Sequence, residues 1–371
     1  MRGHTMKSET GTTSRRTALK YLGLGGGAVA ASSLLAACDS VQESQDSGGG
    51  SGAFPETPDW KFVFVNHVTT NSFFVPTRTG LADAAKLVGL PEPQWTGSEN
   101  GNVAQMASAM ETAVNSKADG IAVALTDNNA FVDLTKRALG AGIPVLAYNA
   151  NAADNYPLTY VGQDLYLSGV KMGQKIAEKV TSGTILVGIS QPGGNNVQPR
   201  LDGIIDSLKQ AAPGVRVQSV NTGAEQAAEL SAMEAAYTGR QDAKGIYAVD
   251  AGSTAACAKL IGDRNLTGKI GGGGFDLLDD TIAGVQSGAL DFTIDQSPYL
   301  QGFLTVLYLY LYRLSGTLIA PPVTDTGLTF VTKDNVGPYA SAHSKFEGGD
   351  SDKVVEMPSS IPLPPPSVLS R

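Results

Sequence analysis

Several of the strands that the sequence predicts end in polar or aromatic side chains, and these are the residues best placed to do chemistry. They are Asn66-His67, Tyr148-Asn149, Ser190-Gln191, Asp250 and Phe275-Asp276. In open α/β sheets, ligands bind outside the carboxyl ends of the strands. We therefore expect these groups to converge on one ligand site, and two facing domains would make a cleft there.

The residues needed for catalysis are scarce. The chain has 3 His, and only His67 falls inside the predicted fold, since His4 and His343 lie in the terminal segments. The two cysteines, Cys38 and Cys257, are far apart, so they form neither a disulfide framework nor a metal site. No P-loop, nucleophile elbow or His-rich metal spacing occurs. The sequence predicts no enzyme, no cofactor and no metal.

Two glycine-rich segments have a simpler explanation than nucleotide binding. Gly23 to Ala28 matches a dinucleotide pattern but has no strand before it. Gly271 to Gly274 could cradle a phosphate, but the run directly precedes Phe275-Asp276 at a strand position. Small residues there more simply permit close backbone packing.

The middle of the chain alternates short apolar runs with segments of helical period, which indicates a parallel sheet. Predicted strands are 61–66, 120–125, 144–149, 184–190, 215–221, 245–250, 270–276 and 292–296. Predicted helices are 74–88, 103–116, 129–141, 165–180, 198–211 and 224–237, and 253–263 also has a helical pattern, in which Cys257 is expected in the core. These strands are too many for one compact sheet, so we predict two α/β domains of doubly wound parallel sheet.

The termini carry a different signal. Residues 1–37 place Arg15-Arg16 before an uncharged run that ends in Leu35-Ala36-Ala37-Cys38, which predicts an export signal with a lipobox and lipidation at Cys38. The alternative is an N-terminal helix with a buried Cys38. The composition of 38–59 predicts a flexible tether, and that of 341–371 a mobile Pro-rich tail. Twin-arginine or general secretion, and a start at Met1 or Met6, remain open.

Charge and composition exclude further classes. Lys and Arg number 27 against 35 Asp and Glu, a net charge of −8, which argues against binding nucleic acid by bulk charge. A hydrophobic fraction of 42% supports a real core, and 44 Gly with only 17% charged residues argue against a disordered or coiled-coil chain. The chain is expected to be an acidic, globular, exported protein.

A family resemblance rests on five short segments whose order and spacing together are specific. They are Asn71-Ser72-Phe73-Phe74, Ala118-Asp119-Gly120-Ile121, Gly142-Ile143-Pro144-Val145, Gly273-Gly274-Phe275-Asp276 and Thr293-Ile294-Asp295-Gln296. The chain thereby resembles the type I periplasmic sugar-binding proteins of ABC transporters, the ribose-binding group. The resemblance implies two Rossmann-like domains, 60–163 plus 297–325 and 164–296 plus 326–340, joined by a three-crossover hinge with the ligand cleft between them.

The resemblance also implies a set of ligand residues. Phe73 and Phe74 match the family's aromatic wall, although one of them could equally be core. Arg200 matches the Arg that donates to sugar oxygens, and Asp276 and Gln296 match the family's Asp and amide. A sugar or polyol requires this mixture, because each hydroxyl both donates and accepts.

Other positions leave alternatives open. Asp250 replaces an Asn-like cleft residue, but an N-cap of the following helix is the competing interpretation. Asn149 and Ala150 stand where ribose-type proteins carry Asp and Arg, which suggests a ligand other than ribose, such as an acyclic polyol or a smaller sugar. His67 either bonds a hydroxyl or is satisfied by its own loop. The remaining expected contacts are Gln163 and Phe275, with Tyr148 as a further candidate that is more often a packing residue.

The predicted function is a lipid-anchored extracytoplasmic solute-binding protein. It would capture a neutral monosaccharide or sugar alcohol by hinge closure and deliver it, as a monomer, to an ABC transporter permease. It would stand on the outer face of the cytoplasmic membrane. An autoinducer-2-type or chemoreceptor ligand-binding protein of the same fold is the alternative, and an exported α/β hydrolase is a weaker one. A sugar-responsive repressor would need a helix-turn-helix where the export segment stands.

Overall fold

The computed structural model describes residues 57–340. The predicted export signal, the predicted lipidation site Cys38 and the predicted Pro-rich tail fall outside this range. Within it, no helix combines the length and the apolar character needed to span a bilayer.

The first of two lobes is built on a six-stranded sheet in the order β11-β5-β4-β3-β1-β2, in which every neighbouring pair is parallel. Its strands are β1 (Phe62–Asn66), β2 (Gln94–Gly97), β3 (Gly120–Val123), β4 (Val145–Tyr148), β5 (Tyr160–Gly162) and β11 (Val323–Asp325). All residues of β1, β3 and β4 are buried, as expected for strands covered by helices on both faces.

The second lobe repeats the plan with the order β12-β10-β9-β8-β6-β7. Its strands are β6 (Ser182–Ile189), β7 (Gly214–Asn221), β8 (Gly245–Ala248), β9 (Gly271–Phe275), β10 (Phe292–Asp295) and β12 (Thr329–Val331). The edge strand β12 runs antiparallel to β10, and the other pairs are parallel.

Helices cover both sheets and alternate with the strands along the chain. They are α1 (Val75–Leu87), α2 (Val103–Asn115), α3 (Val132–Gly140), α4 (Leu165–Ala177), α5 (Gln198–Ala211), α6 (Gln226–Thr238), α7 (Ala251–Asp263), α8 (Asp279–Ser287) and α9 (Pro298–Ser315). Short 3-10 turns lie at Ser72–Phe74, Ala153–Asn155 and Pro338–Ala340. Cys257 is fully buried in α7, as the sequence predicts.

The chain passes between the lobes three times: from β5 into α4, from β10 into α9, and from β11 to β12. Although α9 follows a strand of the second lobe, it packs on α1 of the first, and its Val306 and Leu309 join that lobe's core. The expected three-crossover hinge is therefore present.

Each predicted strand is found, with ends shifted by a few residues. The strands β2, β5 and β11 have no counterpart among the periodicity-based predictions. Each has only three or four residues, too few to show a period. The strand β12 lies in the segment 326–340, which the family resemblance assigns to the second domain.

Paired glycines set the closest helix contacts in both lobes. A Cβ on Gly80 of α1 would overlap the carbonyl oxygen of Tyr299, and one on Gly302 of α9 would overlap that of Thr77. In the second lobe, Gly169 of α4 and Gly203 of α5 face the backbone of the opposite helix in the same way. The two helices of each pair can approach this closely only because neither carries a side chain at the contact.

The glycines of β9 also serve packing. Side chains on Gly271, Gly273 and Gly274 would collide with Tyr247, Phe292 and Thr254, respectively. This agrees with the prediction of close packing, rather than phosphate binding, for this run.

We expect Gly80→Ala to lower the free energy of unfolding by about 1–3 kcal/mol, because the added methyl group meets rigid backbone. The control is Gly140→Ala at the end of α3, where a Cβ would meet nothing within 4 Å. There the change should be neutral or stabilising by up to about 1 kcal/mol. Urea unfolding of both variants measures the difference, and equal effects would contradict this account.

Candidate functional site

A cavity lies between the lobes at the carboxyl ends of the strands. His67, Phe73, Phe74 and Asn149 line it from the first lobe, and Asn196, Arg200, Glu229, Asp250, Asp276 and Gln296 complete it from the second lobe and the hinge. Its volume is about 60 Å³. A water molecule needs about 10–15 Å³ on the same measure, so there is room for a solute of several heavy atoms.

One wall of the cavity is aromatic. The rings of Phe73 and Phe74 meet edge to face, with centroids 4.6 Å apart, and the His67 ring lies 5.4 Å from that of Phe74. Asn71 sets the position of this turn, because its Oδ1 accepts a hydrogen bond from the Phe73 N–H at 2.9 Å. Phe74 is buried and belongs to the hydrophobic core of the first lobe, whereas Phe73 is only partly buried and packs against that core. Such a wall suits the C–H face of a solute.

His67 is neutral in this setting, because burial lowers its pKa to about 4. The Asn196 amide Nδ2 lies 3.3 Å from His67 Nε2. If that amide donates, Nε2 is the acceptor and Nδ1 carries the ring proton. His67 is thus paired across the cleft and not with its own loop.

Arg200 enters the cavity from α5 and is held from three sides. Its Nη1 donates to the carbonyl of Val249 at 3.0 Å, its Nη2 donates to Gln163 Oε1 at 3.2 Å, and the guanidinium lies over the Phe275 ring at 4.0 Å. Burial lowers the pKa of Arg200, and the charge of Asp276 opposes that effect. The side chain is therefore a fixed cation at the base of the cleft.

A chain of side-chain hydrogen bonds joins the lobes at the hinge. Gln296 Nε2 donates to Asp276 Oδ1 at 2.6 Å, Gln301 Nε2 donates to Gln296 Oε1 at 3.1 Å, and Asn149 Nδ2 donates to Gln301 Oε1 at 3.1 Å. Asp276 lies in the second lobe and Asn149 in the first. Burial raises the pKa of Asp276 to about 6, and the nearby Arg200 lowers it in part.

Backbone strain coincides with this chain. Asn149, Asp276 and Ser297 have φ values of 63°, 73° and 53°, a region that non-glycine residues rarely adopt. Asn149 and Asp276 directly follow β4 and β9, so the left-handed turn directs each side chain into the cleft. Asp295 Oδ1 accepts from the Ser297 N–H at 2.8 Å and supports the strained hinge residue.

Asp250 is an N-cap. Its Oδ1 accepts from the Ser253 N–H at 3.0 Å, at the start of α7, and its Oδ2 accepts from the Ser190 N–H at 2.9 Å. The carboxylate also lines the cavity, but both oxygens are engaged by backbone. The capping alternative that the sequence left open thus describes its observed contacts.

A loop before α5 bridges the mouth of the cleft. The Asn195 N–H donates to the Thr126 carbonyl at 2.9 Å, and its Nδ2 donates to Asn128 Oδ1 at 2.9 Å. Together with the pairing of Asn196 and His67, these hydrogen bonds join the two lobes directly.

Four buried polar atoms of the cavity residues have no hydrogen-bond partner in the described part of the chain. They are His67 Nδ1, Asn196 Oδ1, Arg200 Nε and Glu229 Oε2. Buried polar groups in folded proteins are nearly always paired. Clustered unpaired donors and acceptors therefore indicate a place for a polar ligand. Residues 57–340 contain no group of three or more His, Cys, Asp or Glu side chains that could hold a metal ion.

Comparison with known proteins identifies the fold and the family. Residues 62–316 match the family model described as a periplasmic binding protein domain. This chain belongs to that family. The binding protein is 44% identical over 316 residues to the xylose/arabinose-binding protein XylF of Sulfolobus acidocaldarius, covering 81% of this chain and 77% of XylF.

Solved structures agree with the match. A solute-binding protein of an ABC transporter from Burkholderia graminis, in complex with D-arabinose, superposes with a TM-score of 0.71 at 26% identity, covering 77% of this chain and 99% of the other. A carbohydrate transporter protein from Acidothermus cellulolyticus, in complex with myo-inositol, gives 0.68 at 26% identity, covering 76% and 97%. The type I fold and the family resemblance are confirmed, and the relatives are solute-binding proteins rather than enzymes.

Most of the residues that the sequence analysis expects at the ligand lie on the cavity wall, but two do not. Gln163 and Phe275 lie behind Arg200, where the first accepts its hydrogen bond and the second supports its guanidinium. Tyr148 is also behind the wall, and its hydroxyl accepts from Asn66 Nδ2 at 2.9 Å. These three side chains position other groups.

Asn196 and Glu229 both line the cavity, but no sequence pattern singled them out. Asn196 lies in the Gly-Gly-Asn-Asn segment before α5, a loop signal that carries no ligand preference by itself. Glu229 lies in the middle of a helical pattern, where an acid is ordinarily a solvated residue. Only the packing of α6 against α7 shows that it is buried.

We expect Asn195→Ala to favour opening of the ligand-free binding protein, because it removes side-chain hydrogen bonds across the cleft, each worth about 0.5–1.5 kcal/mol. Small-angle scattering should give a larger radius of gyration for the variant. Asn221→Ala is the matched control, because the Asn221 side chain accepts a hydrogen bond only from the Gly223 N–H of its own lobe among the described residues. An unchanged radius in Asn195→Ala would contradict the bridging role.

Proposed function

We propose that this chain is the lipid-anchored, extracytoplasmic solute-binding protein of an ABC transporter, and that it captures a neutral monosaccharide or sugar alcohol by hinge closure and delivers it to the permease. The observation that carries the proposal is the cluster of unpaired buried donors and acceptors beside an aromatic wall, in a cleft between two hinged lobes. Sugars and polyols combine hydroxyls with apolar C–H faces, so they match both parts of this cavity.

The charges of the cavity favour a neutral ligand. Arg200 faces the carboxylates of Asp250 and Asp276, so its charge is already balanced within the protein. A carboxylate or phosphate ligand would need additional donors. The relatives point the same way, because one is a xylose/arabinose-binding protein and two others were solved in complex with D-arabinose and myo-inositol.

Ligand contacts are proposed for the residues on the cavity wall. The unpaired groups of His67, Asn196 and Arg200 would bond ligand oxygens, Asp276 and Gln296 would accept or donate at adjacent hydroxyls, and Phe73 with Phe74 would cover one face. Asn149 would contribute from the first lobe. Because these groups belong to both lobes, a bound solute would stabilise the closed arrangement.

The remaining parts of the proposal concern the whole chain. Domains of 60–163 plus 297–325 and 164–296 plus 326–340 are supported by the distribution of strands between the two sheets. Export and anchoring rest on the paired arginines and the Leu-Ala-Ala-Cys segment ending at Cys38. We propose that the chain acts as a monomer on the outer face of the cytoplasmic membrane.

The function is tested by thermal melting of the purified chain against neutral pentoses, hexoses, pentitols and inositol, with amino acids and sugar phosphates for comparison. A ligand at about one hundred times its dissociation constant adds about 2.7 kcal/mol of stability, which is readily seen as a rise in melting temperature. We expect a rise with at least one neutral sugar or polyol. A rise with only anionic compounds, or consumption of the added compound, would contradict the proposal.

We expect Asp276→Asn to weaken binding of the responding sugar by about 10–100-fold, since hydrogen bonds to charged groups contribute about 1.5–3 kcal/mol. The variant should fold. Because burial raises the pKa of Asp276 to about 6, the charged carboxylate costs stability once the pH rises above the unfolded-state pKa, and the amide avoids this cost.

Titration calorimetry at pH 7 measures the loss, and the exposed Asp280→Asn on α8 is the matched control. Melting of the ligand-free variants gives the pH dependence. From about pH 4 to pH 6, wild type should lose more stability than Asp276→Asn. Equal sugar affinities for wild type and Asp276→Asn would remove Asp276 from the site.

A further inference from the structure

Among the cavity carboxyls described above, that of Asp250 caps α7 and that of Asp276 accepts a hydrogen bond from Gln296, whereas that of Glu229 does neither. It lies on α6, where its neighbours at positions 225–228 are exposed, but its own side chain is only 3% exposed. It reaches the cavity, and its Oε2 has no hydrogen-bond partner in the described residues. Glu229 shares the buried face of α6 with Met233 and Tyr237, and an acid with an unpaired oxygen on such a face requires a local explanation.

The absence of a side chain at Gly252 makes this position possible. Gly252 is the second residue of α7, and a Cβ there would overlap the Glu229 carboxyl, with Oε2 as the nearest atom. Gly252 also lines the cavity. The carboxyl therefore occupies a notch in the first turn of α7, at the cavity wall.

Asp250 is the charged neighbour of Glu229. Both Asp250 oxygens already accept backbone N–H groups from Ser253 and Ser190, and the Glu229 carboxyl lies within hydrogen-bonding reach as well. Burial together with the negative charge of Asp250 raises the pKa of Glu229 to about 9. Two adjacent carboxyls cannot both ionise cheaply, so the pair retains one proton at neutral pH.

The groups around the pair reinforce this state. On α7, the Cys257 thiol lies deeper and is itself neutral, since burial and then the charge of Asp250 raise its pKa. The Thr222 and Ser253 hydroxyls, from the end of β7 and from α7, are bonded to each other at 2.8 Å. Arg200 of α5 is the cation that acts on the pair, through Asp250. Asp250 is thus saturated by the protein, whereas Glu229 keeps a free oxygen.

We propose, on the basis of the sugar-binding function proposed above, that Glu229 is a ligand-binding residue that acts in its protonated form: it shares its proton with Asp250 and accepts a hydrogen bond from a hydroxyl of a neutral sugar at Oε2. It takes the ligand-facing role that the sequence suggested for Asp250.

The inference implies a pH dependence with a definite sign. Below about pH 9 Glu229 is protonated, and binding is at full strength. A sugar in the cavity displaces the remaining water and raises the carboxyl pKa further, so the complex binds the proton more tightly than the free protein does. Above about pH 9 the dissociation constant should therefore rise, by at most about tenfold per pH unit.

The test measures the affinity of the full chain for D-arabinose, or for myo-inositol where arabinose gives no thermal shift, from pH 6 to pH 10. Glu229→Gln keeps an N–H for Asp250 and a carbonyl oxygen for the sugar but cannot ionise. It should bind within a few-fold of wild type at pH 7 and lose the alkaline weakening. Glu229→Ala should bind at least tenfold more weakly. Glu225→Gln, exposed at the start of the same helix, should keep the wild-type pH profile.

An infrared spectrum of the ligand-free protein at pH 7 tests whether Glu229 is protonated without the use of any sugar. It therefore separates the role of Glu229 from the proposed sugar-binding function. We expect a protonated-carboxyl absorption that is absent in Glu229→Gln and that shifts on addition of sugar. Binding with the same pH profile in wild type and Glu229→Gln, or wild-type affinity in Glu229→Ala, would overturn the role of Glu229 and leave the proposed function intact. Absence of binding to any neutral sugar, with the absorption present, would overturn the proposed function and the ligand contact together.

Discussion

The hydrogen-bonded chain from Asp276 through Gln296 and Gln301 to Asn149 is the interaction on which the rest of the cleft depends. It passes through buried side chains that belong to both lobes, so separation of the lobes at this depth would break the hydrogen bond between Gln301 and Gln296. Buried polar networks of this kind fix geometry strongly when every member is paired. Asn149, Asp276 and Gln296 of this network also line the cavity, so the network fixes the positions of these side chains in the cavity wall.

The same network explains why strain is tolerated beside it. Asn149 and Asp276 adopt left-handed backbone conformations at the ends of their strands, and each such residue costs about 1–3 kcal/mol. The cost is offset because the turn buries a side chain that finds a hydrogen-bond partner. Asn and Asp are the non-glycine residues that tolerate this region best, which accounts for the residue types at both positions.

The sequence predicted the fold because apolar strands and helical periods alternate clearly along the chain, and because β1, β4, β6, β8 and β9 are all followed by polar groups. It missed β2 at one edge of the first sheet and β5 and β11 at the other, because these short strands are defined by pairing rather than by period. For the site, position at the end of a strand pointed to Asn149 and Asp276, whereas Arg200, which lies within α5, was selected through the family resemblance. It was not sufficient for Glu229, whose burial depends on a glycine in a different helix. Gln163 and Phe275 were expected at the ligand, yet they position Arg200, a distinction that only side-chain contacts make.

The paired glycines at the crossings of α1 with α9 and of α4 with α5 have a mechanical consequence. Backbone packed directly on backbone leaves no flexible side chains between the helices to absorb a displacement, so each lobe resists shear within itself. Any rotation of one lobe against the other must therefore be taken up in the three connecting segments. A solute of the wrong shape would prevent the two rigid lobes from aligning, so contacts at the mouth of the cleft would be lost even though the misfit lies elsewhere. Discrimination between similar solutes would then depend on how completely the lobes close as well as on local contacts.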